Sequence, residues 1–291
     1  MTMNSLTILT SANHEPMAKR IVADADGMRK INARMSKRYW VQQREFDSIF
    51  DLHNILCELE NDPYSFVIRG EPVADLDPMK PVRRLKYREG NDGPTFQDAG
   101  ARWVCFDFDG ITCPADINPA SNPDAAISYL RRLLPPAFHN VTCSYQWSNG
   151  ASFDGWAKLR AHLWFVTDRG IGDDVLRELV YDSGLPVDAA LFNTVQPHFT
   201  ARPIFVGMAD PIATRSNILL GIHNVVSIEI ERPYDPDFER MRRSPVRPDV
   251  AKSIGAGSRF IGSDDQILSY RRAGGPIGLL SALKEASRRE A

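Results

Sequence analysis

The stretch WVCFDFDG, residues 103–110, combines a continuous apolar run with two acidic residues and a glycine. The run predicts a buried strand over residues 103–108 that ends in the two carboxylates. Side chains alternate along a strand, so Asp107 and Asp109 are expected to share one face. Two carboxylates a few Å apart raise each other's pKa unless a cation neutralises them. The stretch therefore predicts a site for Mg²⁺ or Mn²⁺, with a strand-end turn capped by the acids as the alternative.

Residues 158–162, KLRAH, begin a second strand that we predict over residues 159–167. Alternation places Lys158, Arg160 and His162 on one face and apolar side chains on the other. Donors on alternate residues are roughly 6 to 7 Å apart, a spacing that can follow a triphosphate. A lone histidine in a strand is more often an ordinary core residue. The prediction of a phosphate-binding face therefore rests on the three basic residues together.

Two further residues have weaker local signals. Asp188 follows Pro186 and Val187 after a predicted helix. Taken alone it favours a helix cap, and only the other two acids make it a candidate third ligand. Arg202 precedes Pro203 and another apolar segment. Gln196 and His198 are nearby polar residues, and the sequence indicates a role in the site still more weakly for them.

A basic stretch lies earlier in the chain. Most such charge runs are simply hydrated, and a phosphate-backbone patch for template binding is the sharper interpretation. Tyr145 and Trp147 are candidates for stacking on bases. The stretch consists of Arg83, Arg84, Lys86 and Arg88, with Tyr87 among them.

The composition limits the class of protein. The chain has 291 residues, of which 43% are hydrophobic and 25% charged, as in an average globular enzyme. The net charge of −2 gives no general attraction to nucleic acid, so any binding must come from a local patch. The four cysteines lack zinc-site spacing and predict reduced thiols. No secretory leader or membrane span is apparent, so we expect a cytoplasmic protein without membrane contact.

The order of segments predicts an α+β fold. Apart from one clear helix and a short strand, the first hundred residues show helical and irregular signals. Helices are expected over residues 46–60, 122–134 and 173–181, and further strands over residues 64–68, 141–147, 204–207 and 218–230.

The domain organisation follows from proline and glycine content. We expect a catalytic domain over residues 1–232, with its motif core in residues 102–207. Prolines among charged residues predict a linker over residues 233–262. A small helical appendage is expected over residues 263–291.

The segments VCFDFDG, KLRAHLWF and PVDAALFNTVQPHFTARP, in this order, resemble the archaeo-eukaryotic primase superfamily. The resemblance covers about residues 103–205. It implies a catalytic core with a central antiparallel or mixed sheet flanked by helices. The RepB-type primases of plasmids and the primase-polymerase modules of phages and integrated elements are similar in size.

The resemblance also implies roles for individual residues. Asp107, Asp109 and Asp188 would be the catalytic ligands of two divalent ions, and His162 would contact the phosphates of a nucleotide. Lys158 and Arg202 match basic positions of the family and are further nucleotide-binding candidates. The family's usual serine two residues before the histidine is Arg160 here, which we also expect near the nucleotide.

The implied activity is that of a DNA-dependent primase or polymerase in the replication of a plasmid, phage or integrated element. It would transfer nucleotidyl groups from ribonucleoside or deoxyribonucleoside triphosphates to a primer 3′-hydroxyl by two-metal catalysis. The implied partners are single-stranded DNA, nucleoside triphosphates and a replicative helicase.

Two alternatives remain at this stage. DFDGIT, residues 107–112, resembles the motif of haloacid-dehalogenase-type phosphohydrolases, in which Asp107 would be the nucleophile. Against it, Ile111 displaces the expected threonine by one place, and no convincing downstream lysine with an acidic pair appears. The other alternative is an inactive nucleic-acid-binding replication module.

Overall fold

The computed structural model describes residues 4–25 and 27–228, which form a mixed α and β structure with three helices and several small sheets. The α+β class is therefore confirmed at this level. The predicted linker (233–262), the helical appendage (263–291) and the last residues of the predicted catalytic domain lie outside the described residues.

The helices are α1 (Ile49–Glu60), α2 (Pro123–Arg132) and α3 (Asp173–Ser183). The strands are β1 (Ser5–Ser11), β2 (Arg20–Asp24), β3 (Gly27–Ile31), β4 (Tyr39–Glu45), β5 (Ser65–Ile68), β6 (Glu71–Pro72), β7 (Phe96–Gln97), β8 (Ala101–Thr112), β9 (Cys143–Trp147), β10 (Lys158–Ile171), β11 (Ile204–Val206) and β12 (Ser216–Leu219).

The central sheet has four strands in the order β12-β9-β10-β8, and every neighbouring pair is antiparallel. β8 and β10 form the longest ladder, from Lys158 opposite Thr112 to Ile171 opposite Ala101. One face of the sheet packs against α2 and α3 through a core of buried aromatic and aliphatic side chains that includes Phe106, Phe108 and Leu163. This arrangement brings the two motif strands side by side.

The other face of the central sheet divides into an apolar and a polar half. At the apolar half, Trp103 and Trp164 pack against α1 and a second sheet of order β4-β1-β5. The polar half carries Asp107 and Asp109 of β8 with Lys158, Arg160 and His162 of β10. The site described below lies on this polar half.

The helices form where the sequence predicts them. Asn122 accepts a hydrogen bond from the amide of Ala125 and caps α2, with Pro123 in the first turn. α3 ends at Gly184, whose φ of +59° is the left-handed conformation that glycine favours. None of the helices in the described ranges is long and apolar enough to cross a membrane.

The prediction for the first hundred residues is wrong in one respect, because this region forms the sheet β4-β1-β5, the two-stranded sheet of β6 and β7, and the β2 and β3 part of a third sheet. β1 is buried on both faces, and so it lacks the alternation that marks a half-buried strand. β2 and β3 form a hairpin, and β11 joins it as a parallel strand beside β2. The strand predicted over residues 218–230 is also shorter than expected and ends at Leu219.

All four cysteines, Cys57, Cys105, Cys113 and Cys143, are free. Cys105 and Cys143 are buried, and Cys57 and Cys113 are partly exposed. Burial raises the pKa of the Cys143 thiol to about 12, which keeps it protonated and unreactive.

Candidate active site

Asp107 and Asp109 lie on one face of β8, and each faces a basic residue of β10. The register places Asp107 opposite His162 and Asp109 opposite Arg160. Nε2 of His162 is 3.3 Å from Oδ1 of Asp107, and Nε of Arg160 is 3.2 Å from Oδ1 of Asp109. The two acids predicted to share a face do so, and a basic side chain lies beside each of them.

Gly110 allows the strand to continue past the acids. The pairing shifts between Asp109 and Ile111, which leaves Gly110 as the extra residue of a β-bulge. Its φ of +84° is in the left-handed region that favours glycine. The predicted strand end at residue 108 is therefore wrong, since β8 runs to Thr112 and carries both carboxylates within its length.

The two carboxylates differ in environment. The side chain of Asp109 is 78% exposed, whereas that of Asp107 is 24% exposed. Burial by itself would raise the pKa of Asp107, but the charge and hydrogen bond of His162, with smaller contributions from His198 and Lys19, hold that pKa below its usual value. Asp107 is therefore ionised at neutral pH in a partly desolvated position.

Asp188 is next to Asp107 through the backbone. Its amide donates to the carbonyl of Asp107 at 3.3 Å. Its carboxylate accepts a hydrogen bond of 2.8 Å from the amide of Ala190 and caps the short 3-10 helix Ala189–Phe192. The chain thus brings Asp188, the third predicted ligand, beside β8, while its carboxylate serves as the helix cap that its local sequence favours.

Lys158 and Arg160 share the face of His162 on β10, as predicted from alternation. Nζ of Lys158 donates to Oγ1 of Thr112 at 2.8 Å. Arg160 also contacts Asp154, with Nη1 and Oδ2 2.7 Å apart. Both cations therefore have protein partners that a phosphate would have to replace.

Arg202 is held by Glu60, a carboxylate that is only 5% exposed. Nε of Arg202 donates to Oε1 of Glu60 at 3.1 Å, and the Arg202 amide donates to the Glu60 carbonyl at 2.9 Å. The other carboxylate oxygen accepts from Ser216 and from Gln146. Arg202 is thereby fixed in position, although its side chain is 46% exposed.

The Glu60 network continues the row formed by Asp107 and His162. Gln146 is opposite His162 in the β9 and β10 register, and Ser216 is opposite Gln146 in the β9 and β12 register. Four polar residues therefore cross the sheet in one line, from Asp107 on β8 to Ser216 on β12.

His198 is the most deeply buried titratable group of the site. It is 2% exposed and contacts the rings of Trp103 and Trp164 at centroid distances of 5.3 and 5.5 Å. Burial, followed by the charges of Arg69 and His162, lowers the pKa of His198 to about 3, against smaller opposing effects of Asp107 and the Leu191 carbonyl. His198 is therefore neutral at physiological pH.

The basic stretch of residues 83–88 is largely engaged in contacts within the protein. Arg83 is paired with Glu89 and Asp92, at 2.6 and 3.0 Å. Arg84 donates to the carbonyl of Val195, and Lys86 is 3.7 Å from buried Asp173. Tyr87 and Arg88 are exposed, so a template role for the stretch stays a prediction that falls mainly on these two residues.

Tyr145 and Trp147 are not available for stacking on bases. Each is 2% exposed and belongs to the core between the central sheet and α2. They alternate with Ser144 and Gln146 along β9, so they point to the face opposite the polar row. The prediction that they contact a template is wrong for this reason.

The donor chemistry of the site suits a hard divalent cation, since Asp107, Asp109 and Asp188 supply only carboxylate oxygens. Within residues 4–25 and 27–228, however, no three acidic, histidine or cysteine side chains are grouped as ion ligands. Each carboxylate has a protein partner instead. An ion at this site would have to compete with His162, Arg160 and the Ala190 amide.

Sequence reasoning missed or undervalued several residues of the site. Glu60 ends an amphipathic helix among other acids, where a solvent-exposed position is the ordinary expectation. Gln146 gives a period-2 signal in β9, which could have placed it on the polar face. His198 and Lys19 carry no local signal, because only the fold brings them near Asp107.

Comparison of the chain with protein-family models, with curated proteins and with solved structures gave no match. A function can therefore be inferred only from the arrangement of side chains in the site.

We predict that His198 makes stability depend on pH below about 6.5. The unfolded chain takes up a proton near the ordinary pKa of 6.5, whereas the folded protein does so only near 3. The free energy of unfolding thus falls by about 1.4 kcal/mol per pH unit as the pH drops from 6.5 toward 3, and is unaffected above 6.5. Urea unfolding at pH 7.5 and 5.5 measures the effect.

The His198→Asn variant is the control, because it lacks the titrating group. Between pH 7.5 and 5.5 the wild type should lose about 1.4 kcal/mol more than the variant. Equal losses in both proteins would show that His198 is not buried in its neutral form.

Proposed function

We propose that this chain is a nucleotidyltransferase of the primase-polymerase type, related to the archaeo-eukaryotic primase superfamily. It would extend a primer 3′-hydroxyl on a single-stranded DNA template with ribonucleoside or deoxyribonucleoside triphosphates. The supporting observation is the pairing of β8 with β10. It places the two acids of the first motif opposite the histidine and arginine of the second, next to the backbone of Asp188.

The acids suit the binding of cations at the reacting phosphate. Asp107, Asp109 and Asp188 would hold two divalent ions, Mg²⁺ or Mn²⁺, which when bound lower the pKa of the attacking hydroxyl and stabilise the leaving pyrophosphate. Asp107 is ionised and partly desolvated, which strengthens its attraction for a cation.

The basic residues of the candidate site suit the binding of a triphosphate. His162 and Arg160 lie opposite the acids on β10, and Lys158 follows on the same face. Arg202 is fixed by buried Glu60 and has a partly exposed side chain. Charge-assisted hydrogen bonds from these groups would orient the phosphates and offset their charge.

We predict that Asp107→Asn and Asp109→Asn each reduce nucleotide incorporation at least about a hundredfold, since each removes a carboxylate that would hold the divalent ions required for nucleotidyl transfer. The assay uses single-stranded DNA, labelled nucleotides and Mg²⁺ or Mn²⁺, with products separated by length. Asp116→Asn is the matched control, because Asp116 is an exposed acid in the loop after β8. Full incorporation by the double variant would refute the proposed site.

The same variants distinguish the phosphohydrolase alternative. A phosphohydrolase would release phosphate from a generic phosphomonoester in a reaction that requires Asp107 and survives Asp188→Asn. A primase-polymerase would show no such turnover and would need both residues for incorporation. An inactive replication module would bind DNA and do neither.

We predict that His162→Ala raises KM for the nucleoside triphosphate by roughly 10- to 100-fold, because a charge-assisted contact present in both ground and transition states is lost. Affinity for single-stranded DNA should stay nearly unchanged. Steady-state kinetics and DNA-binding titrations on the same preparations measure both quantities.

His223→Ala is the matched control, since His223 is exposed. Arg160→Ser, which restores the family's usual residue, should be milder than His162→Ala. If His162→Ala bound nucleotide normally and lost DNA, the assignment of this strand to the nucleotide would be wrong.

A further inference from the structure

A cavity of about 510 Å³ lies between two segments of the first hundred residues. One wall consists of residues 35–39, and the other of residues 83–85 with Glu89. The amide of Tyr39 donates to the carbonyl of Val82 at 2.8 Å, and the amide of Val82 donates to the carbonyl of Tyr39 at 2.9 Å. These two hydrogen bonds join the walls. The volume is in the range of small-molecule sites, and none of the described lining residues belongs to β8, β9 or β10.

Positive charge exceeds negative charge in the lining of this cavity. Four of the lining side chains are cationic and one is acidic, namely Lys37, Arg38, Arg83, Arg84 and Glu89. Arg83 pairs with Glu89 and Asp92, at 2.6 and 3.0 Å. The other three cations form no ion pair with any acid in residues 4–25 and 27–228. Even with Asp92 counted beside Glu89, the cavity keeps an excess of two positive charges.

Arg84 is a partly buried cation whose contacts are all with uncharged groups. Its Nη1 donates to the carbonyl of Val195, and its guanidinium lies 5.8 Å from the centroid of the Phe66 ring. Burial lowers the pKa of Arg84, and the opposing effect comes from Tyr39 rather than from a carboxylate. Arginine stays charged in spite of such a shift. An anion in the cavity would therefore offset a cost of burial that the protein leaves uncompensated.

Arg38 is held at the other wall by hydrogen bonds around it. Its Nη1 donates to the carbonyl of Pro81 at 3.2 Å. Oγ of Ser36 donates to the Arg38 carbonyl at 2.8 Å, and the hydroxyl of Tyr39 donates to the Ser36 carbonyl at 2.5 Å. A guanidinium has five N–H donors, so the bond to Pro81 leaves donors for a ligand. Because this wall is already ordered, a ligand would lose less free energy in ordering it.

We propose that this cavity binds the phosphate groups of a free small molecule about the size of a nucleotide. Arginine and lysine supply the charge-assisted hydrogen bonds that phosphate accepts. Met35 and Leu85 add apolar lining for the organic part of such a molecule. A cavity between two walls suits a small molecule, whereas a nucleic-acid strand needs a groove that continues along its backbone. Tyr87 and Arg88, the exposed residues predicted to contact a template, do not line the cavity.

The test measures binding to the full chain by titration calorimetry, with a chelator present to remove divalent ions. The ligands are adenosine diphosphate, inorganic pyrophosphate, adenosine and a single-stranded DNA oligonucleotide. The wild type should bind the diphosphate and pyrophosphate but not adenosine. Lys37→Gln and Arg38→Gln should each weaken both phosphate ligands about tenfold, as expected for one lost charge-assisted contact, while Arg38→Lys should keep most of the affinity. Both side chains are exposed, so thermal unfolding should stay unchanged.

Arg34→Gln is the matched control, since Arg34 is an exposed cation of the same segment that does not line the cavity. It should bind both phosphate ligands like the wild type, and so should Arg160→Gln. Loss of binding in Arg160→Gln would instead place the ligand at the candidate active site and overturn the proposal. The proposal is also wrong if the wild type binds neither phosphate ligand, or if Lys37→Gln and Arg38→Gln bind both normally or lose only the DNA. The inference is independent of the proposed function, because no assay here involves nucleotide incorporation.

Discussion

The antiparallel ladder between β8 and β10 is the constraint on which the rest of this structure depends. Its register buries Phe106, Phe108 and Leu163 on one face and aligns Asp107 with His162 on the other. A shift of one residue would exchange the two faces of a strand, so the apolar core specifies the polar row. Burial of the aromatic side chains thus supplies the free energy that holds acids and bases together.

Three acidic side chains at the polar half of the sheet each lie beside a basic side chain. Asp107 and Asp109 are beside His162 and Arg160, and buried Glu60 is beside Arg202. A buried carboxylate without a partner would be costly, so these pairs keep the charged groups in place in the absence of a ligand. If the proposed function holds, ligand binding would be an exchange, in which metal cations replace the basic side chains beside the acids and phosphates replace the acids beside the basic side chains.

The sequence was sufficient for those features that depend on local periodicity. Alternation placed Asp107 with Asp109, and Lys158 with Arg160 and His162, on the correct faces, because the neighbouring positions are strongly apolar. Alternation could not give the register between strands, nor show that Glu60 is buried. β1 was missed because both of its faces are covered, and the β2 and β3 hairpin because its side chains are largely exposed. Such features depend on contacts between distant parts of the chain.

Binding of Mn²⁺ tests the central claim most directly, since it measures the carboxylate pair without requiring turnover. Electron paramagnetic resonance can follow free Mn²⁺ as it is titrated with protein in the presence of a nucleoside triphosphate. We expect the wild type to bind Mn²⁺ more tightly than the nucleotide alone does, and the Asp107→Asn, Asp109→Asn double variant to lose this binding while Asp116→Asn retains it. Equal Mn²⁺ binding by the double variant and the wild type would contradict the account.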